Sequence, residues 1–425
     1  MEKAKIEIIE QKIAKAITNT EFAEHVYIVG GYIRDTILER PTNDIDLVVS
    51  LPDGGIRLAH FLYEKKVSSY PVTFARFGTA LIEIDKFKIE LVMTRREFYE
   101  AGNRKPNVES GSIYEDAIRR DFTINALYRK VATTTILDIT KLGFSDINAK
   151  IIRTTNDPNL VYAEDPLRML RAIRFSAQIG FTIEPNTRQG IANNCSKLQT
   201  ISWERRRDEL SKMLLSNNPK QALCDLKNLN LLEYIIPEII PLNTQKYNDE
   251  YSWWDISLNA VNLSSPNAEL RFATLLHHIS TEVSQKILLR LKFPNSFCQK
   301  IAFLIEKQHA FENINISLLS DKDIRFFVFE VNDNLELLLQ LFHIINIAKP
   351  QANQTLISEL RKRIANTYLP KSAFPINGND IMKYLNVKSG KKIGFYLDKA
   401  YKIWLEYPDW DKKMIMQKLE KTSIN

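Results

Sequence analysis

Cysteine is nearly absent: the chain of 425 residues has three, Cys195, Cys224 and Cys298, widely spaced and odd in number. Neither a disulfide framework nor a zinc-ligand spacing can be built from them, which points to a reduced compartment. An apolar signal-peptide core is also lacking, since residues 1–11 interleave acids with isoleucine, and the longest apolar stretch, near 337–348, is too short to span a bilayer. A cytoplasmic protein with no membrane partner is therefore expected. No repeat of fixed period and no low-complexity tract occurs, and no feature points to an oligomeric state.

What is present describes a folded protein of several domains. The length is about three times that of a typical single domain, and 44% hydrophobic with 26% charged residues is an ordinary globular composition. The 58 Lys and Arg exceed the 51 Asp and Glu by seven. Most of that excess sits at one end: residues 381–425 hold ten lysines, no arginine and five acids, a net of +5. Such a basic tail fits a polyanionic partner such as RNA, the plainer alternative being a solvated lysine-rich helix face.

Up to about residue 150, short β-rich runs at 26–29, 45–49, 80–84, 88–93 and 135–139 alternate with helical stretches. From about residue 161 a helical period dominates. Breaks fall at 217–219, 237–244, 368–370 and 374–380, where Pro, Gly and Asn cluster. The polar run 98–114, with two glycines and one proline, has no apolar period and is expected to be a mobile loop.

The chemistry concentrates in YIVGGYIRDTILERPTNDIDLVVS, residues 27–50. Asp44 and Asp46 flank Ile45 in a strand-like run, and the period of two puts both carboxylates on one face. Like charges held together need a cation. Hard oxygen ligands beside a phosphate substrate favour Mg²⁺, and a two-metal site could activate a hydroxyl and stabilise a leaving pyrophosphate. Upstream, Gly30 and Gly31 end one strand and open a helix bearing Arg34, so backbone N–H groups and a guanidinium can face a triphosphate. Taken singly, the carboxylates could cap a turn after Pro41 and the glycines could mark a plain turn.

GGYIRD followed by DID resembles the head domain of polymerase β-type nucleotidyltransferases, specifically the class II tRNA nucleotidyltransferase and bacterial poly(A) polymerase family. RRDFTINAL, residues 119–127, resembles that family's second motif, which implies phosphate contacts for Arg119 and Arg120 and a sugar-side role for Asn125. Residues 137–154 are similar to the hinge between head and neck, EDPLRMLRAIRF (164–175) to the nucleotide-selecting helix, and ERRRDEL (204–210) to the supporting neck helix. The wider superfamily carries a third acid on a neighbouring strand; Glu90 is the candidate, with a partly exposed strand glutamate as the alternative.

Within 164–175, Asp165, Arg168, Arg171 and Arg174 recur every three residues on an expected helix, so Asp165 and Arg168 come within reach of one ligand. A carboxylate accepting from an exocyclic amine and a guanidinium donating to the adjacent ring nitrogen suit cytosine and adenine; guanine and uracil have the opposite polarity. The resemblance to CCA-adding enzymes implies that this pair selects C and A without a template. The alternative is a basic helix face with a local ion pair.

Many relatives carry a metal-dependent HD segment after the neck. Here the doublet reads His277-His278 and the earlier histidine is missing, so a scaffold is expected. Residues 75–93 lack the arginine-rich signature of gammaproteobacterial poly(A) polymerases, which favours tRNA end addition, and the 98–114 loop resembles that of enzymes able to add the final A.

The expected architecture is α+β: a catalytic head with a mixed sheet (1–150), a helical neck (151–215), a helical body with the degenerate HD-like segment (216–368) and a basic tail (369–425). The expected activity is template-independent addition of C, C and A from CTP and ATP to the 3′ end of tRNA. Asp44 and Asp46 would hold Mg²⁺, and Lys388, Lys391 and Lys392 are candidate RNA contacts. The rivals are an A-adding or CC-adding partial enzyme, a poly(A) polymerase, and a catalytically silent RNA-binding protein.

Overall fold

The computed structural model describes residues 2–42, 45–98, 107–131, 133–312, 318–350, 355–388 and 390–423. The chain divides into two units, Met1–Pro237 and Glu238–Asn425. Its class is α+β, a mixed-sheet head followed by helices.

The strands of the head are β1 (Val26–Val29), β2 (Ile45–Val49), β3 (Val72–Phe74), β4 (Thr79–Ile84), β5 (Phe87–Met93), β6 (Arg95–Phe98), β7 (Asn107–Ser110), β8 (Leu127–Lys130) and β9 (Ile136–Asp138). Seven of them form one sheet in the order β3-β4-β5-β2-β1-β8-β9; β6 and β7 make a separate ribbon. Within the seven-stranded sheet only β2 and β5 run parallel. All four residues of β1 are buried, as its central place requires, whereas β5 alternates buried Ile89, Leu91 and Met93 with outward Lys88 and Glu90.

Three helices dress this sheet: α1 (Glu2–Ile17), α2 (Gly31–Ile37) and α3 (Gly54–Glu64). The first buries Ile6, Ile9, Ile13 and Ile17, spaced by three or four residues, and its Glu10 grips Arg129 of β8 at 2.6 Å. The third lies hard against the strands. A Cβ at Gly55 would come within 2.6 Å of the Gly78 and Leu91 carbonyl oxygens, so only glycine permits that approach.

The expected mobile loop at 98–114 needs correction at its ends. Residues 107–110 form β7, paired with β6, and a Ser112/Glu115 capping box opens α4 (Ile113–Ile118). A polar two-stranded ribbon has no apolar alternation, which is why the sequence pattern hid it. Residues 99–106 lie outside the described residues.

The first unit continues as α5 (Gly143–Ala149), α6 (Pro158–Glu164), α7 (Leu167–Ile179), α8 (Pro185–Asn194), α9 (Trp203–Leu214) and α10 (Pro219–Asn228). Asp157 caps α6 ahead of Pro158, and Ser202 caps α9.

The second unit is helical. His277 is buried with Nδ1 2.8 Å from the Thr274 carbonyl oxygen, and His278 stacks on Trp253 with ring centroids 3.7 Å apart. Each ring is thus engaged by its own surroundings, one by a backbone carbonyl and the other by an indole face. Among the described residues no three His, Cys, Asp or Glu side chains are grouped to hold a metal, and no helix is long and apolar enough to cross a membrane. The last helices, Gly378–Leu385, Lys391–Glu406 and Lys412–Ser423, enclose Ile381, Ala400, Trp404, Ile415 and Leu419.

Candidate active site

The turn from β1 into α2 sets the floor of the site. Gly30 has φ 73° and ψ −135°, a conformation that side-chain-bearing residues rarely adopt. A Cβ built there would stand 3.5 Å from Arg120 Nη1 and 3.9 Å from Asp46 Oδ2. Gly30, Arg120 and Asp46 thus meet at one point.

Asp46 faces outward from β2, with Val29 of β1 opposite on one side and Glu90 of β5 on the other. Residues in register on neighbouring strands project to the same face, so the two carboxylates stand side by side. Burial, and then the Asp46 charge, push the Glu90 carboxyl above its usual range, with Arg95 acting against both, although much of its surface meets solvent. Such a pair fits a divalent cation by the chemistry of its donors. Asp44 lies outside the described residues, immediately before the first residue of β2.

Behind these groups lies Asp116, fully buried on α4. One carboxylate oxygen accepts from Arg119 Nε at 3.0 Å and from its Nη2; the other accepts from the Tyr128 hydroxyl at 2.6 Å and from Arg120 Nε and Nη2 at 3.2 and 3.1 Å. Burial alone would raise this carboxyl, but Arg120, Arg119 and the Tyr128 hydroxyl outweigh it and hold it at about 2. Arg119 and Arg120 are consequently fixed from below.

A second buried carboxylate, Asp121, ties this layer to α7. Its Oδ1 accepts from Asn125 Nδ2 at 2.9 Å and its Oδ2 from Arg171 Nε at 2.8 Å; Asn125 Oδ1 in turn accepts from Arg34 Nη1 at 2.7 Å. Burial pushes Asp121 up and Arg171 and Asn125 pull it down to about 2. The guanidiniums of Arg34, Arg171 and Arg174 lie 4.9, 5.3 and 4.1 Å from the Phe175 ring centroid. Arg34 is buried and also holds Asp35 through Nε and Nη2. It is thus part of the scaffold as well as a candidate phosphate ligand.

The expected placing of Asp165 on α7 is corrected. Asp165 is not on the helix: it has φ −137° and ψ 98°, because a residue before proline is driven from the helical region. Its Oδ1 accepts from the Leu167 N–H and its Oδ2 from Arg205 Nη2 of α9 at 3.0 Å. Arg168 instead donates to Glu164 at 2.9 Å and to the Val161 and Arg119 carbonyl oxygens. Nor do the arginines form one solvated basic face. Arg171 goes to Asp121 and Arg174 to Glu209 of α9 at 2.7 Å, each arginine anchored to its own acid.

Sequence reasoning missed Asp116, Asp121, Arg205 and Phe175 as parts of the site. Asp116 had a local signal, lying three and four residues before two arginines on a helix. For Asp121 the local signal was only Asn125, four residues on, since its charged partner Arg171 is fifty residues away. Lys388, Lys391 and Lys392 belong to the second unit, where all three are exposed.

Residues 26–153 match the poly A polymerase head domain and residues 180–242 the probable RNA and SrmB-binding site of polymerase A. A CCA-adding enzyme of Staphylococcus epidermidis is 29% identical over 393 residues, 90% of each chain. An A-adding tRNA nucleotidyltransferase of Geobacter sulfurreducens is 35% identical over 242 residues, 54% of this chain but only 27% of that one. The fold is shared with the Bacillus stearothermophilus CCA-adding enzyme in complex with CTP, at a TM-score of 0.73 and 24% identity over 98% of both chains. The match to the poly A polymerase head domain thus spans the strands that bear Asp46 and Glu90, and the match to the RNA-binding segment of polymerase A follows behind it.

Proposed function

We propose that this enzyme adds C, C and A from CTP and ATP to the 3′ end of tRNA. The observation that carries the reading is the adjacent Asp46 and Glu90 pair beside the Gly30 turn and Arg120. Asp46, with Asp44, would hold Mg²⁺, which supplies Lewis-acid polarisation of the α-phosphate and lowers the cost of deprotonating the attacking 3′ hydroxyl. The remaining work falls to the chain. Gly30 and Gly31 leave the first N–H groups of α2 open to a phosphate, and Arg34, Arg119 and Arg120 balance its charge. Asp116 and Asp121 hold these cations in place, so little reorganisation accompanies in-line displacement of pyrophosphate. The identity with an A-adding enzyme favours a second reading, a partial enzyme that adds only A. A tRNA lacking CCA, supplied with CTP and ATP separately and together, tests both: C incorporation from CTP alone, extended by ATP, is expected, and incorporation restricted to a tRNA already ending in CC would leave the A-adding reading. The site of action proposed is the cytoplasm.

Base selection is assigned to Asp165 and Arg168. The Arg205 ion pair fixes the Asp165 carboxylate in place, and its remaining lone pairs can accept from the exocyclic amine of C or A. Losing that acceptor leaves a polar group unpaired, at about 1–3 kcal/mol or roughly tenfold to a hundredfold in discrimination. In Asp165→Ala, misincorporation assays with single triphosphates are expected to show rejection of UTP and GTP weakened by that factor. A variant that still excludes both as strictly as the parent would move base reading to other groups.

A further inference from the structure

The helix Lys391–Glu406 presents two unlike faces. Ala400, Tyr401, Trp404 and Leu405 are buried in the core of the last helices, and Ile393, Tyr396 and Leu397 pack against it. On the other side, at about 100° per residue, Lys391, Lys392, Phe395, Lys399 and Lys402 fall within an arc of about 100°. In the middle of this lysine face Phe395 leaves 56% of its surface in solvent. The Lys399 ammonium sits 4.7 Å from the Phe395 ring centroid, and a Cβ built at neighbouring Gly394 or Gly390 would meet nothing within 4 Å. The ring meets Tyr396 edge-on, with centroids 5.5 Å apart, and is not itself part of the core, so its remaining surface stays open to solvent. Asp398 flanks the arc, and Glu406, inside it at the C-terminal end of the helix, is engaged by Lys322 at 2.6 Å, so positive charge prevails along the face.

We propose that this face is a stacking platform for an unpaired nucleotide of the RNA substrate, with Phe395 as the stacked ring; the inference rests on the tRNA reading above. Lys391 and Lys399 stand one turn before and after the ring, about 6 Å along the axis on either side, where they neutralise the phosphates flanking the stacked base. An exposed ring among cations suits a base with an open π-face, which a continuous duplex does not offer. The lysines set the salt dependence and the ring adds affinity that salt leaves untouched.

The test is equilibrium binding of the full chain to a tRNA transcript lacking CCA, across a salt series. Phe395→Ala is expected to weaken binding about tenfold with an unchanged salt slope, while Lys391→Ala with Lys392→Ala reduces the slope by roughly 0.7–0.9 for each phosphate no longer neutralised. Phe395→Trp should bind like the parent and add a tRNA-dependent fluorescence quench to the parental signal, and affinity for a blunt duplex RNA should ignore the ring. Phe395→Ala binding tRNA like the parent while the parent still adds C and A overturns the platform alone. A tenfold loss in Phe395→Ala from a parent that adds no nucleotide overturns the end-addition reading and leaves the platform standing. A parent that binds no RNA, its lysine face engaging a protein instead, overturns both.

Discussion

Asp46→Ala is expected to lower the single-turnover rate of CTP incorporation at least about a thousandfold while leaving tRNA affinity within about twofold of the parent. Removing a carboxylate that holds a catalytic cation withdraws several kcal/mol from the transition state, and about 4 kcal/mol already corresponds to that factor. Binding is spared because Asp46 repels phosphate until a cation covers it. Glu90→Gln separates the roles of the two acids. It keeps the shape of the side chain beside Asp46 and removes one of the two like charges, so a smaller loss is expected. Filter binding and rapid-quench incorporation on the same preparations provide the comparison; turnover at the parental rate in Asp46→Ala would sink the assignment of the site. A rate loss matched by an equal loss of tRNA affinity would instead make Asp46 a residue of the RNA surface.

How much of this was legible beforehand depended on how far apart the partners lie. The Gly30–Gly31 turn and the placing of Asp46 on β2 follow from short-range rules, a glycine pair closing one apolar run and a period of two in the next. Glu90 could be suspected but not placed, because its position beside Asp46 depends on the parallel register of β2 with β5, which no local pattern encodes. The position of Asp165 outside α7 could have been read. Proline at 166 excludes the preceding residue from the helix, so a stripe counted from Asp165 starts two residues before α7. The anchoring of Arg171 by Asp121 and of Arg174 by Glu209 joins helices distant in sequence, and charge at helical spacing alone reads as a solvated face.

The buried carboxylate at Asp116 should prove as costly to remove for stability as Asp46 is for rate. Asp116→Ala removes the one acid shared by two guanidiniums and the Tyr128 hydroxyl, leaving Arg119 only neutral acceptors such as the Arg95 carbonyl oxygen and Arg120 the Tyr128 oxygen. Breaking a buried pair from one side costs about 3–5 kcal/mol, which for a folding unit of 150–250 residues is a drop of roughly 6–20 °C in Tm. Arg120 would also lose its support beside Gly30 and Asp46, so incorporation at permissive temperature should fall with stability. Acid titration distinguishes lost charge from lost shape. The folded carboxyl titrates at about 2, below the unfolded value of 3.8, so its contribution, on the order of 2 kcal/mol, is present above about pH 4 and disappears as pH falls through 2. Asp121, also held at about 2, adds a parallel share in the same window. Asp116→Asn retains acceptor and shape but cannot ionise. Its stability deficit relative to the parent should therefore be full at pH 7 and shrink steadily toward pH 2, measured by thermal melts across that range. A deficit independent of pH would mean that packing around Asp116, not its charge, secures Arg119 and Arg120, and an Asp116→Ala protein melting within about 2 °C of the parent would remove the hub altogether.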